Sequence, residues 1–183
     1  MNFQKNLNGQ IILPVLFLYF LLGSFSSAAS SFSIYLVRHA EQLTDAKNPA
    51  LTICGQYRAK QLASLLSKVN FTSIYSPLYH HAMQTAKPLA DHQQVVIKNY
   101  NSNYLEQLSL KLQHQKSNTF VVAQRNTIQR LVELLAKQTV EPLSEVDYRS
   151  LYQLQFVDQQ VILTTFQQPL LCKNVSSQKQ KNS

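Results

Sequence analysis

The sequence predicts an α/β domain of three layers, α/β/α, built around a mainly parallel sheet. Short apolar runs rich in β-branched residues alternate with segments whose apolar residues recur every three or four positions, the pattern of strands joined by helical crossovers. The first run ends abruptly in Arg38-His39. That sets a cation and an imidazole at the carboxyl end of a strand, where open α/β sheets build their sites. The last two runs lie two residues apart and read as a closing hairpin.

Residues 32–37 form the first strand, and the polar stretch after it, to Ala50, is a loop. Thr52 caps the next helix, in which Leu62, Leu65, Leu66 and Val69 make a core-facing stripe. A second strand over 71–75 is closed by Ser76-Pro77. The helix over 78–91 contains Pro88, which is expected to bend it. Residues 95–97 make a third strand, 104–115 an amphipathic helix with Leu105, Leu108 and Leu112 on one side, and 119–123 a fourth strand. Ile128, Leu131, Val132 and Leu135 mark the last helix, and strands 151–157 and 160–166 pair around Asp158-Gln159. After residue 30 the one glycine is Gly55, so the turns fall to Asn, Asp, Ser and Pro.

Residues 1–29 read as a secretory signal peptide: a basic start with Lys5, an apolar run from Ile11 to Leu22, then small residues over 26–30. The run is short for a membrane span, so the protein is expected to be exported, periplasmic or secreted, with no stable membrane span after cleavage; an uncleaved N-terminal anchor is the alternative. The domain then covers 30–172, and 173–183 is a polar, basic tail. The net charge of +8 suits an anionic ligand. The cations are dispersed and not interleaved with aromatics, which argues against nucleic acid. Cys54 and Cys172 are either a disulfide pair or two separate thiols. No CxxC or CxxH spacing occurs, so no metal is expected.

Four segments in order carry the chemistry: Leu36-Val37-Arg38-His39-Ala40-Glu41; Leu51-Thr52-Ile53-Cys54-Gly55-Gln56-Tyr57-Arg58-Ala59; Ser76-Pro77-Leu78 with Gln84-Thr85-Ala86-Lys87-Pro88-Leu89-Ala90; and Asn126-Thr127-Ile128. In these segments the chain resembles the histidine phosphatase superfamily, with its phosphoglycerate mutase-like fold, in the short single-domain branch. The resemblance implies phosphomonoester hydrolysis without a cofactor, through a phosphohistidine at His39, with Arg38 as the first phosphate-binding arginine. Two positions depart from the pattern. His81 stands where a second arginine is expected, and Gln124 where a second histidine is expected.

Gln124 can donate a hydrogen bond but carries no charge, and an ordinary imidazole at position 81 is largely neutral at pH 7. Each lost charge-assisted bond is worth about 1.5–3 kcal/mol, so the two losses together weaken phosphoryl binding by roughly 10²–10⁴. Arg125, one residue on, either bends back onto the phosphate or points to solvent at a helix start. Glu41 and Glu106 are the carboxylates available as a general acid, each with a plain structural alternative. His80, His92 and His114 read as satisfied or exposed histidines, and the tyrosines at 75, 79, 148 and 152 as core edges. The expected activity is weak hydrolysis of a phosphate-containing small molecule or phosphoprotein. The alternative is an inactive pseudophosphatase that binds a phosphorylated ligand or protein.

Overall fold

The computed structural model describes residues 31–44, 47–158 and 160–169. The leader 1–29, the tail 173–183 and Cys172 lie outside the described residues. The elements run β1 (Ser31–Arg38), α1 (Ile53–Leu65), β2 (Ser73–Pro77), α2 (His80–Gln93), β3 (Ile97–Tyr100), α3 (Leu105–Gln115), β4 (Thr119–Ala123), α4 (Arg125–Ala136), β5 (Ser150–Val157) and β6 (Gln160–Gln167). The sheet order is β3-β2-β4-β1-β5-β6. β1 to β4 are mutually parallel, while β5 runs antiparallel to β1 and pairs with β6 in a hairpin.

Both faces of the parallel part are covered. One face packs Ile34, Leu36, Val121 and Ala123 against Ile128, Leu131 and Leu135 of α4 and Leu108 and Leu112 of α3. The other packs Tyr35, Val37, Phe120 and Val122 against Leu62 and Leu66 from α1 and its end and Ala82, Ala86 and Leu89 of α2. Burial on two sides explains why these strands read as unbroken apolar runs. Leu65 departs from the predicted stripe. It closes α1 and is exposed, while its neighbours Leu62 and Leu66 are buried.

Other boundaries shift by about two residues. β2 begins at Ser73, and Phe71 is buried before the strand starts. α2 continues through Pro88 to Gln93. Asn48 Oδ1 accepts from the backbone N–H of His80 (2.8 Å), so a distant loop side chain caps α2 in place of its own N-cap residue. Without glycine, three helices end on left-handed residues that carry side chains: Gln94, Lys116 and Lys137.

Candidate functional site

The carboxyl ends of β1, β2 and β4 meet at one edge of the sheet, with β1 and β4 as direct neighbours. The backbone N–H of His39 donates to Ala123 O (2.9 Å), which prolongs the β1–β4 pairing and fixes where the imidazole starts. Ala40 N–H then donates to Thr85 Oγ1 (3.0 Å), and that hydroxyl donates to His81 O (2.8 Å). One threonine thus ties the chain after β1 to the first turn of α2. The result brings His39 and His81 together, their ring centroids 4.3 Å apart, both nearly fully buried.

The backbone fixes both tautomers. His39 Nδ1 lies 2.9 Å from Ala40 O and His81 Nδ1 3.3 Å from Pro49 O. A carbonyl only accepts, so each Nδ1 carries the proton and each Nε2 keeps its lone pair. His81 Nε2 accepts from Gln124 Nε2 at 3.1 Å. Burial pushes His39 down to about 4, helped by the nearby His81 and Arg38 and opposed by the Ala40 carbonyl. Burial also lowers His81, against the bonds to Gln124 and Pro49. At neutral pH both rings are therefore neutral, and His39 offers Nε2 as a nucleophile.

Arg38 is buried beside them and is already engaged. Its Nη1 donates to the carbonyls of Glu145 (2.7 Å), Asp147 (3.1 Å) and Ser144 (3.4 Å). Its guanidinium lies 3.9 Å from the centre of the Tyr148 ring. Its Nε is buried with no hydrogen-bond partner among the described residues. Arg125, at the start of α4, is exposed and pairs with Glu145 across 3.5 Å. One segment, 144–148, therefore holds both Arg38 and Arg125.

Of the predicted site residues, the structure brings Arg38, His39, His81 and Gln124 into one cluster and leaves Arg125 on its outer side. Ala123 stays in regular strand register with Arg38 and does not have a positive φ. Glu41 does not serve Arg38: it forms a two-pronged pair with Arg58, Nη2 to Oε1 at 2.6 Å and Nε to Oε2 at 2.8 Å. Gly55 lets this happen, because a Cβ there would collide with the Glu41 carbonyl oxygen. Glu106 sits on the surface, held below the usual carboxylate range by its own backbone N–H and by Arg130 (3.1 Å). His80 is exposed, as the 100° step along a helix requires.

Two tyrosines read from sequence as core edges belong to the site instead. Tyr79 lies nearly parallel to His81, 5.7 Å away and 10° out of plane, and Tyr148 stands 6.0 Å from His39. Tyr148 carried no local signal, since its place depends on Arg38 reaching across more than a hundred residues. The Gln84-Thr85 pair did carry one: it is part of a quoted segment, and Gln84 Oε1 accepts from Leu51 N (2.7 Å) just as Thr85 accepts from Ala40. No cluster of three or more His, Cys, Asp or Glu side chains suited to a metal occurs among the described residues. Cys54 is not a free thiol.

Residues 34–102, from β1 to just past β3, match the model of the histidine phosphatase superfamily (branch 1). No curated protein matches the chain by sequence. The fold is similar to that of the protein histidine phosphatase SixA complexed with tungstate, at 14% identity and a TM-score of 0.61, covering 74% of this chain and 96% of that one. It is also similar to the alpha-ribazole phosphatase from Shigella flexneri (14%, 0.63, 77% and 98%). A third similar structure is a phosphoserine phosphatase from Entamoeba histolytica in complex with 3-phosphoglyceric acid (18%, 0.58, 74% and 96%).

Proposed function

Because the chain belongs to the histidine phosphatase superfamily, we propose that it hydrolyses phosphomonoesters slowly, through a phosphohistidine at Nε2 of His39. The observation that supports this most is the state of that ring. Its Nδ1–H is spent on the Ala40 carbonyl and its pKa is pushed to about 4, so Nε2 is an unprotonated nucleophile beside a guanidinium. In the first step Nε2 bonds to phosphorus and the ester oxygen leaves with its electron pair. In the second, water takes the phosphoryl group and the imidazole is restored. Arg38 holds the phosphoryl oxygens, and the amide of Gln124 donates to them. His81 assists only when it is charged.

The test is turnover of an aryl phosphate between pH 4 and 8, beside His39→Ala. Turnover that vanishes in the variant supports hydrolysis at His39; equal background signals refute it. The second reading, a pseudophosphatase that binds a phosphorylated small molecule or protein without turnover, is favoured by the commitment of Arg38 Nη1 to three carbonyls. Inorganic phosphate that binds saturably to an inactive chain selects it.

The leader pattern supports export to the periplasm or the medium, and cell fractionation tests that. Among the described residues no helix is long and apolar enough to cross a membrane.

A further inference from the structure

We propose that the site is selective for phosphate esters of aromatic alcohols, with Tyr79 as the residue that receives the aromatic group. This rests on the reading of His39 as phosphoryl acceptor and names the substrate class for it. Three independent observations lead there.

The first is a continuous row of flat groups. Tyr79 lies along His81, His81 meets His39 edge-on, His39 meets Tyr148 edge-on as well, and Tyr148 underlies Arg38. Four of the five are buried or half-buried. Tyr79, at 45% exposure, is the end of the row that opens to solvent. A phosphate ester approaching His39 Nε2 therefore leads its alcohol group outward toward Tyr79, and a ring there gains offset or edge-to-face contact that an alkyl group does not.

The second is the rim. The loops at this edge of the sheet expose Leu43, Leu78, Tyr104 and Val146, and the first residue of α1, Ile53, is exposed with them. Arg125, a rim cation that acts electrostatically on Arg38, is paired with Glu145. Such a border suits an apolar ester group better than a second carboxylate or phosphate.

The third is the state of the carboxylates. Glu41 accepts from Arg58, and Glu145 faces Arg125. Asp147 accepts from the backbone of Arg149 (2.8 Å) and the hydroxyl of Ser150 (2.7 Å). Each is already engaged by a donor, so none of the three is free to protonate a leaving group. A phenol, with a pKa of about 10, can leave as phenolate and take its proton from water afterwards; a far more basic alkoxide needs an acid at the moment of cleavage.

The experiment compares two non-hydrolysable probes, phenylphosphonate and methylphosphonate, by calorimetry on the full-length chain and on Tyr79→Ala and Tyr79→Phe. Wild type is expected to bind phenylphosphonate at least about tenfold more tightly. The preference falls to below threefold in Tyr79→Ala and persists in Tyr79→Phe, while methylphosphonate affinity stays within twofold throughout. Equal affinity for the two probes in wild type, or a preference unchanged in Tyr79→Ala, overturns the aromatic subsite and leaves phosphoryl binding intact. Absence of binding to either probe refutes the phosphoryl-binding reading itself, and the inference with it. If Tyr79→Ala does not fold, the wild-type ratio and its retention in Tyr79→Phe still decide the matter.

Discussion

Gln124 and His81, the two positions whose sequence reads as a departure from the histidine phosphatase pattern, are bonded to each other: the Gln124 amide donates to His81 Nε2 at 3.1 Å. The two departures form one neutral, mutually satisfied pair. Reversing either alone breaks the bond without completing the cationic set, so the reversals should couple. His81→Arg and Gln124→His are each expected to change kcat/KM by less than about tenfold, and the double variant to raise it by roughly 10²–10⁴, since each charge-assisted bond is worth about 1.5–3 kcal/mol. Steady-state kinetics on the four proteins measures this. A double variant no better than wild type shows that some other element limits activity.

Acid should unfold the protein partly through the site. His39 has its pKa lowered from 6.5 to about 4, mainly by burial, and His81 is lowered in the same direction. The unfolded chain therefore binds more protons than the folded one between pH 6.5 and 4. Stability is full above 6.5, declines through that window and stops declining on this account below about 4. His39 alone contributes a loss of about 2–3 kcal/mol from pH 7 to pH 4, at about 1.4 kcal/mol per unit. Urea melts at several pH values read the slope. His39→Gln should flatten it, and an unchanged slope would place the acid sensitivity elsewhere.

The Glu41–Arg58 pair is buried, with side-chain exposures of 17% and 3%. Removing one partner strands a charge in a place water reaches poorly, at a cost of about 3–5 kcal/mol. Arg58→Ala is expected to lose that much in chemical denaturation. Because Glu41 follows His39 by two residues and is clasped by α1, activity should fall as well. Replacing both with Leu and Met should recover most of the stability. A single variant of near-wild-type stability would refute this account of the pair.

Lys116 ends α3 in the left-handed region at φ 45° with its side chain exposed. Its Cβ makes that conformation unfavourable, and glycine is the usual occupant. Lys116→Gly is expected to raise stability by about 0.5–1 kcal/mol, the relief outweighing the added freedom of the unfolded chain. The urea midpoint measures it, and a lower midpoint contradicts it.

The four parallel strands and the Arg38-His39 turn are legible in the sequence because their signals are local: two-sided burial makes apolar runs, and β1 ends where its polarity changes. The absence of glycine after Gly55 is legible too, but not its outcome. Lysine and glutamine fill the left-handed caps, and tyrosine and the 144–148 segment shape the site, through contacts made only in three dimensions. Glu41 illustrates the limit. Proximity in sequence suggests Arg38 or His39 as its partner, whereas helix α1 delivers Arg58 to it from 17 positions away.

Arg38 organises the segment before β5, and that task can be separated from its proposed hold on phosphate. Its Nη1 gathers the carbonyls of Ser144, Glu145 and Asp147, and its face rests on Tyr148, so the segment before β5 is organised around one side chain. Arg38→Lys keeps the charge but replaces a planar fork with a point donor, which cannot hold three carbonyls and stack on a ring at once. Amide exchange over 141–148 is therefore expected to quicken by at least about tenfold in Arg38→Lys, a loss of roughly 1.4 kcal/mol of local protection. Exchange in β1 and β4 should not change. Phosphate affinity should fall in the same variant, because a point donor replaces the planar fork proposed to hold the phosphoryl oxygens. Unaltered exchange over 141–148 would mean that the segment is held by its own contacts, with Arg38 free to act on phosphate alone.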